Sequence, residues 1–425
     1  MSFALGALPV ALLLLGFPIF LVLLASVSTA LVFFMQIPLP ALHQNLFGAI
    51  DSYALLAIPF FIFAGELMGR GSVAERLVGF VNAGVGSVRG SLAVTTVGSS
   101  ALFGAISGVS AATVATIGRA MLPALRRGGY PDKFSAGLLT AVGAIDIIIP
   151  PSIPMIVYCM AAQQSVPRLY AAGVLPGLLL AVMLCAYVMW YARRNNIGGG
   201  TKFSWREFRA ATVRGLGALG APVIILGGIY GGVFSPTEAA AVACVYAIGV
   251  AKYVYRELSW QDILASAGTT AVFTGQILVI VACASVFGWL LTVNQVPAAM
   301  TDWLTGMHLP AWSLLLAINV LLLVVGCFID PLSAILLLSP LLVPLVTAIG
   351  VDPIHFGIIV TVNLSIGLFH PPFGINIFVA QSVLKLPLET IYRGIMPFIV
   401  IYLIALALIT YVPAISLAGV SLLLH

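Results

Sequence analysis

Charged residues are scarce in this sequence. Only 7% of its 425 residues are Asp, Glu, Lys or Arg, whereas 61% are hydrophobic, and the mean hydropathy is +1.16. A water-soluble fold of this length has too little interior to bury so many apolar side chains, so the composition excludes a soluble enzyme or binding module. The sequence also lacks the period-two alternation of an outer-membrane barrel, whereas apolar runs of about 18 to 25 residues recur. These runs predict an all-α protein that crosses a membrane several times.

Cysteine is also rare, and the sequence contains none of the common catalytic motifs. The five cysteines lie inside apolar runs without CxxC spacing, which argues against a disulfide framework or a zinc site. There is no HExxH, no GxGD-type aspartate pair, no Asp-rich diphosphate motif and no Walker loop. We therefore expect neither an enzyme nor an organic cofactor, and no nucleic-acid partner.

The basic residues predict an orientation in the membrane. Fourteen of the eighteen Lys and Arg residues can be placed on one side, which the positive-inside rule makes cytoplasmic. The N-terminal apolar run has no basic segment and no cleavage site before it, so we expect a retained first helix. The placement requires that runs 90–125 and 311–350 enter and leave on the same side. Both termini would then be periplasmic.

Those two runs carry small and polar residues at their centres. Gly104, Ser107, Gly108 and Ser110 cluster in the first run, and Gly326, Asp330, Pro331 and Ser333 in the second. Each pattern predicts a re-entrant hairpin of two half-length helices joined by a polar tip. One kinked, fully spanning helix in each run is the alternative.

Two Pro-Pro pairs interrupt apolar runs and relate the halves of the chain. Pro150-Pro151 and Pro371-Pro372 lie 221 residues apart, and the same shift places Pro123 on Pro344. A proline inside a helix removes a hydrogen bond and costs about 3 kcal/mol, so each pair predicts a broken helix. The orientation makes the halves inverted repeats, each with scaffold helices, a hairpin and a broken helix, which is typical of secondary transporters.

Broken helices expose backbone groups that suit ions. Free carbonyls and hydroxyls suit a hard cation such as Na⁺, and helix N-termini suit an anion. We therefore predict two Na⁺ sites around one anionic substrate. The predicted cation-binding residues are Ser107, Gly108, Ser110, Gly143 and Ile149 in the first site, and Asp330, Ser333, Asn363, Gly367 and His370 in the second. The predicted substrate-binding residues are Ser107, Arg119, Pro151, Ser152, Pro372 and Asn376.

Several other charged residues have alternative interpretations. Arg119 is the only basic residue in its apolar run, so it either pairs with Asp146, faces the substrate carboxylate or reaches the cytoplasmic surface. Glu66, close to Arg70, is expected at the surface. Glu238 follows Pro236 at a helix start, where capping is the expected role.

The ordered motifs resemble a known family. The segments "ALFGAISG", "IIIPPSIPMIVY", "VFSPTEAAAVACVYA", "CFIDPLSAILLLSPLLVP", "DPIHFGIIVTVNLSIGL" and "PPFGINIFVA" are similar to the large membrane subunit of tripartite ATP-independent periplasmic (TRAP) transporters, over about residues 5 to 415. Two positions depart from the family pattern: Asp146 replaces the usual glycine and His370 the usual threonine.

The resemblance implies Na⁺-driven uptake of a small organic anion across the bacterial inner membrane by an elevator movement. Sialic acids, dicarboxylates and keto acids are the expected substrate classes. It also implies two partners, a small four-helix membrane subunit and a soluble periplasmic binding protein. The alternative is a stand-alone carboxylate carrier coupled to Na⁺ or H⁺ that needs no binding protein.

The repeats and the linker between them give the predicted domain boundaries. The basic, aromatic segment between the repeats is expected to form an amphipathic helix on the cytoplasmic membrane surface. The predicted units are scaffold helices at 1–89, hairpin and broken helix with the following helix at 90–192, the linker at 193–215, scaffold helices at 216–310, and hairpin, broken helix and last helix at 311–425.

Overall fold

The computed structural model describes residues 3–35, 39–200, 203–307 and 309–424. Every regular element within these ranges is a helix, and eight of them are long and apolar enough to cross a membrane. The prediction of an all-α polytopic membrane protein is confirmed.

The first repeat contains ten α-helices within the described ranges. They are α1 Leu8–Leu14, α2 Ile19–Phe34, α3 Leu39–Ile50, α4 Ala57–Arg70, α5 Val73–Val85, α6 Ser91–Ser107, α7 Ser110–Arg127, α8 Asp132–Val142, α9 Ile153–Ala161 and α10 Val166–Arg194. Shorter elements are a π-helix at Phe3–Ala7 and 3-10 helices at Tyr53–Leu56 and Gly143–Ile147.

The second repeat contributes ten more α-helices to the described part of the chain. They are α11 Trp205–Tyr230, α12 Pro236–Ile248, α13 Trp260–Val293, α14 Val296–Gly306, α15 Ala311–Phe328, α16 Pro331–Ala348, α17 Pro353–Gly367, α18 Ile375–Leu384, α19 Leu388–Tyr411 and α20 Ala414–Leu423. A π-helix at Gly249–Val254 follows α12.

Both predicted hairpins are present as pairs of helices, but their arms are 17 or 18 residues long rather than half-length. Gly108 and Val109 alone connect α6 to α7, and Gly108 turns the chain with a φ of +60°, where a residue without a side chain is least strained. Ile329 and Asp330 alone connect α15 to α16. Because each run divides into two helices at its polar tip, the alternative of one kinked helix is excluded.

Both Pro-Pro pairs interrupt helices as predicted. After α8 the chain tightens into the 3-10 turn Gly143–Ile147, passes through the cis bond of Pro150-Pro151 and resumes as α9. After α17 it passes through the cis bond of Pro371-Pro372 and resumes as α18. Neither proline pair offers the backbone N–H groups that would continue the helix.

The repeats exchange parts across the centre of the molecule. Helix α18 of the second repeat packs on α7 of the first hairpin, and α9 of the first repeat packs on α16 of the second hairpin. The scaffold pairs α4 with α12 and α5 with α11, and α13 contacts α2, α3, α4 and also the hairpin helix α16. Each broken helix therefore completes the opposite repeat, which brings tips and breaks together.

Two smaller predictions about charged residues are confirmed. Ser235 and Glu238 form a reciprocal capping box at the start of α12, in which the Glu238 carboxylate accepts from the Ser235 amide at 2.8 Å. Glu66 forms an ion pair with Arg70 at 2.9 Å, one turn apart on α4, and both side chains are about one-third exposed. All five cysteines are free thiols.

The segment between the repeats differs from the predicted separate surface helix. Helix α10 ends at Arg194, and α11 begins after Ser204 and continues without interruption to Tyr230, so the predicted boundary at residue 215 falls inside a helix. Helix α11 contains no proline between Trp205 and Pro222, and the apolar sequence after Arg214 continues the helical pattern. Lys202, which belongs to this segment, lies outside the described residues.

Candidate ion and substrate site

A cavity of about 330 Å³ lies where both hairpin tips meet α13 and α18. Its polar lining comes from Ser110, Gln276, Asp330 and Asn376, and most of the remaining wall is apolar. Gly108 of the first tip also lines it. A mostly apolar cavity with a few convergent polar groups is the usual form of a small-molecule site, and this volume is near the lower end of the usual range.

Ser110 and Asn376 connect the two repeats at the wall of this cavity. The Ser110 hydroxyl donates to Asn376 Oδ1 at 3.1 Å, and Asn376 Nδ2 approaches Ser110 Oγ at 2.8 Å. Both side chains are buried, with 5% and 0% of their surface exposed. Ser110 begins α7 and Asn376 lies in the first turn of α18, so the positive ends of two helix dipoles meet here, which favours an anionic ligand.

Gly143 belongs to the same neighbourhood. A Cβ atom added at Gly143 would lie 3.0 Å from the Ser110 carbonyl oxygen and 3.5 Å from Asn376 Nδ2. The 3-10 turn of the first break therefore approaches the first hairpin closely enough to require glycine there. The structure places Gly108, Ser110 and Gly143 of the predicted first cation site together.

A cluster of three oxygen-bearing side chains joins the first hairpin to the first break. Ser107 at the end of α6 donates to Asp146 Oδ2 at 3.2 Å, Thr113 on α7 donates to the same oxygen, and the two hydroxyls lie 3.4 Å apart. Asp146 is 0% exposed, and its Oδ1 has no hydrogen-bond partner in the described ranges. Sequence reasoning included Ser107 but missed Thr113 and did not assign Asp146 to the cation site.

The second hairpin presents a carboxylate at its tip. Asp330 caps α16 by accepting from the Ser333 amide at 3.0 Å, and it lines a small cavity of about 70 Å³ together with Gly367. The Ser333 hydroxyl oxygen is buried without a partner among the described residues. Asp330, Ser333 and Gly367 are thus brought to one place.

Asn363 and His370 make other contacts. Asn363 Nδ2 donates to Asn319 Oδ1 at 2.5 Å and to its own helix at the Ile359 carbonyl, while its Oδ1 has no partner in the described part of the chain. His370 Nδ1 lies 3.1 Å from Cys327 Sγ, beside the arm of the hairpin rather than its tip. Asn363 therefore retains one free oxygen for an ion, whereas His370 is engaged with a thiol.

Arg119 does not pair with Asp146. Its side chain is exposed on α7, and none of the four ion pairs found in the described ranges includes it. Arg119 follows Thr113 by six residues, which at about 100° per residue places it about 240° around the helix from the residue that contacts Asp146. The pairing hypothesis is wrong in this conformation.

The remaining predicted residues shape the breaks and do not line the 330 Å³ cavity. The Ser152 hydroxyl donates to the Ile147 carbonyl at 2.7 Å, and the Pro372 carbonyl accepts from the Tyr392 hydroxyl at 3.0 Å. The Pro151 carbonyl approaches Gly108, and the Ile149 side chain packs against Gly177 of α10. The Ser152 side chain thus stabilises the first break by binding a backbone carbonyl within it.

The donor set fits Na⁺ better than a transition metal. Among the buried oxygens without a partner in the described ranges, three belong to the predicted sites or to Asp146 beside them, namely Asp146 Oδ1, Ser333 Oγ and Asn363 Oδ1. No group of three His, Cys, Asp or Glu residues in the described ranges could hold a metal ion. Carboxylate, hydroxyl, amide and carbonyl oxygens are ligands for hard cations.

The fold and the site together define a secondary transporter: inverted repeats, two hairpins and two broken helices surround a central cavity in a membrane-crossing helical protein. Residues 7–415 match the family described as "Tripartite ATP-independent periplasmic transporter, DctM component". The chain belongs to this family, as the motifs suggested.

The relatives of this chain are named for different solutes. The chain is 43% identical to the C4-dicarboxylate TRAP transporter large permease protein DctM of Pseudomonas aeruginosa, covering 89% of this chain and 88% of that one. It is 39% identical to the ectoine permease TeaC of Halomonas elongata, covering 96% of each chain. It is 36% identical to the sialic acid permease SiaM of Vibrio cholerae, covering 88% of each.

A solved structure shares the fold. The YdaH transporter of Alcanivorax borkumensis superimposes with a TM-score of 0.62 at 15% sequence identity, covering 88% of this chain and 87% of that one. The likeness concerns the architecture of the helices.

Proposed function

We propose that this chain is the transport subunit of a binding-protein-dependent system that takes up a small organic anion across the bacterial inner membrane, coupled to Na⁺. The observation that carries the proposal is the 330 Å³ cavity, in which Ser110 and Asn376 from opposite repeats meet Asp330 at the second hairpin tip. Two helix N-termini there suit a carboxylate, and the unpartnered oxygens beside the cavity suit cations.

Coupling follows from placing cation and anion sites side by side. A cation held by the oxygens of one hairpin and one break lies close to the cavity wall, so that its charge favours an anion in the cavity. The two ligands then bind more tightly together than separately, which is the thermodynamic requirement for symport. Because the chain has two pairs of hairpin and broken helix, we expect two Na⁺ ions, one at each hairpin tip.

The substrate class is a small carboxylate. The relatives are named for C4-dicarboxylates, sialic acid and ectoine. Hydrogen bonding from the Asn376 side chain and the first turn of α7, together with the positive end of the α18 dipole, would suit a carboxylate group common to such solutes. The remainder of the cavity wall is mostly apolar and offers few groups that would distinguish one substrate from another beyond the carboxylate. We therefore assign selectivity to a separate periplasmic binding protein.

Membership of the family supports two partners, a small four-helix membrane subunit and that binding protein. The chain should be purified with both, and the binding protein screened by thermal shift against succinate, N-acetylneuraminate, pyruvate and ectoine. Uptake of the best ligand into proteoliposomes is then measured with an imposed Na⁺ gradient. We expect uptake only when the gradient and the binding protein are both present.

Two outcomes would contradict parts of this proposal. Equal uptake with choline replacing Na⁺ would remove Na⁺ coupling. Uptake by this chain without a binding protein would favour the alternative, a stand-alone Na⁺- or H⁺-coupled carrier.

The proposed movement is that of an elevator, in which the hairpins and broken helices slide together against the scaffold. Its support is the packing at the cavity, where α13 of the scaffold meets the second hairpin. Cysteines introduced at Gln276 of α13 and Leu332 of α16, in a cysteine-free background, should allow a thiol cross-linker to block uptake. Full uptake after complete cross-linking would rule out such sliding.

A further inference from the structure

The two repeats cross their helices at positions that agree to within one residue, but with different residues. In the second repeat, Gly326 of α15 lies directly against Gly367 at the end of α17. A Cβ atom added at Gly367 would meet the Gly326 backbone. In the first repeat, Gly104 of α6 lies directly against Asp146, where an added Cβ would meet the carboxylate. The repeat shift of 221 residues places Asp146 on Gly367.

The carboxylates of the two units have therefore exchanged places. The second unit carries Asp330 at its hairpin tip and Gly367 in its broken helix. In the first unit the same shift places Val109 at the tip, and the carboxylate is Asp146 in the broken helix. Each unit thus has one carboxylate at the junction of hairpin and break. The broken helix contributes it in the first unit, and the hairpin tip contributes it in the second.

The Asp146 carboxylate is buried in a way that requires compensation. It is 0% exposed, and none of the ion pairs in the described ranges includes it. Two hydroxyls donate to Oδ2, while Oδ1 has no partner among those residues. A carboxylate with only two neutral donors at membrane depth is costly, and a bound cation removes that cost.

The hydroxyls of the cluster supply further ligands. Ser107 ends the first arm of the hairpin and Thr113 lies in the first turn of the second arm, so the carboxylate lies between the two arms and the break. A hydroxyl has two lone pairs and can accept a cation while its proton points to the carboxylate. Three oxygens from three segments converge, and all three side chains are buried.

We propose that Ser107, Thr113 and Asp146 bind one monovalent cation directly, with Asp146 as its charged ligand. The inference rests on the proposed Na⁺ coupling and deepens it, because it adds Thr113 and Asp146 to the first site. It gives each hairpin-and-break unit one carboxylate for one cation, so that a loaded unit is electrically neutral at its centre.

Cation binding can be measured on the purified full chain without a transport substrate. Thermal unfolding is followed while NaCl replaces choline chloride at constant ionic strength, for the wild type, Asp146→Asn and Thr113→Val. Both variants nearly preserve side-chain shape. The control is Asp352→Asn, because Asp352 caps α17 through the amides of Ile354 and His355, and asparagine is an equally good cap.

We expect Asp146→Asn to raise the half-saturating Na⁺ concentration of the first site by about tenfold or more, and Thr113→Val to raise it less. The control should match the wild type. An unchanged Na⁺ response in Asp146→Asn, beside a normal wild-type response, would overturn this inference and leave Na⁺ coupling standing. No Na⁺ response in the wild type would overturn Na⁺ coupling itself. If Asp146→Asn does not fold, Thr113→Val decides by the same comparison.

Discussion

Ser110 and Asn376 exchange two hydrogen bonds at 3.1 and 2.8 Å, although they lie 266 residues apart in opposite repeats. Asn376 Nδ2 also approaches the Thr140 carbonyl at 3.4 Å, so one amide links the first hairpin, the first broken helix and the second broken helix. The polar wall of the cavity therefore exists only when both repeats are docked. A site at the interface of two repeats is typical of secondary transporters.

The first prediction concerns this pair. Ser110→Ala and Asn376→Ala should each raise the KM for the transported anion by about tenfold, because each removes a buried hydrogen bond worth about 1 kcal/mol or more. The double variant should be little worse than either single variant, since the residues act as a pair. Uptake into proteoliposomes measures the effect, with the exposed Ser421→Ala as control. Unaltered KM in both single variants would contradict a role in the substrate site.

The second prediction uses the crossing of α15 and α17. A Cβ at Gly367 would meet the Gly326 backbone, which cannot move aside, whereas a Cβ at Gly326 would first meet the flexible end of Leu364 at 3.2 Å. Gly367→Ala should therefore lower the free energy of unfolding by about 1 to 3 kcal/mol, and Gly326→Ala by much less. Thermal unfolding in detergent compares the two. Equal melting temperatures of Gly367→Ala and Gly326→Ala would mean that α15 and α17 can move apart without a loss of stability.

Much of the architecture could be predicted because its signals are local. The pairs Pro150-Pro151 and Pro371-Pro372 mark helix breaks through the chemistry of proline itself, and small residues at 104–110 mark a hairpin tip. The capping box of Ser235 and Glu238 likewise depends on a spacing of three residues. Such features are independent of how distant segments pack.

The composition of the site depends on packing and was predicted only in part. Thr113 is one of several threonines and serines on its hairpin, and nothing in its spacing shows that α7 turns it toward Asp146. The same rotation of α7 exposes Arg119, so the predicted ion pair does not form. The exchange of α9 and α18 between repeats decides which residues meet at the cavity, and it has no signature along the chain.

The third prediction concerns pH and stability at a junction of the scaffold. Glu257 lies in the loop between the π-helix Gly249–Val254 and α13. It accepts from the Ser72 amide at 2.7 Å, from the Ser72 hydroxyl and from Arg76 at 3.2 Å. Burial alone would raise the pKa of Glu257, but these hydrogen bonds and the Arg76 charge together outweigh it and lower the pKa. The lowered pKa of a folded carboxylate contributes stability that is present above the unfolded pKa and lost as pH falls through the folded value.

Glu257→Gln should therefore lower the melting temperature at neutral pH, by an amount corresponding to about 1 kcal/mol. The difference from wild type should shrink below about pH 4.5 and vanish at lower pH, as the native carboxylate gains its proton. Glu207→Gln, at the exposed start of α11, is the matched control. A difference that persists unchanged at low pH would show that the substituted amide disturbs packing rather than charge.

The last prediction separates Arg119 from Asp146. The exposed Arg119 lies about 120° around α7 from Thr113, and no ion pair in the described ranges joins it to Asp146. Arg119→Ala should leave the Na⁺-dependent thermal shift unchanged, and Arg119→Ala combined with Asp146→Asn should behave like Asp146→Asn alone. The free-energy effects of substitutions at independent sites add to within about 0.5 kcal/mol. A coupling energy well above that limit would mean that α7 rotates to pair the two residues in another state of the transport cycle. The same measurement on uptake rates would then show whether the pair forms while the substrate is carried, because a pair formed only in transit affects the rate of uptake and leaves cation binding at rest unchanged.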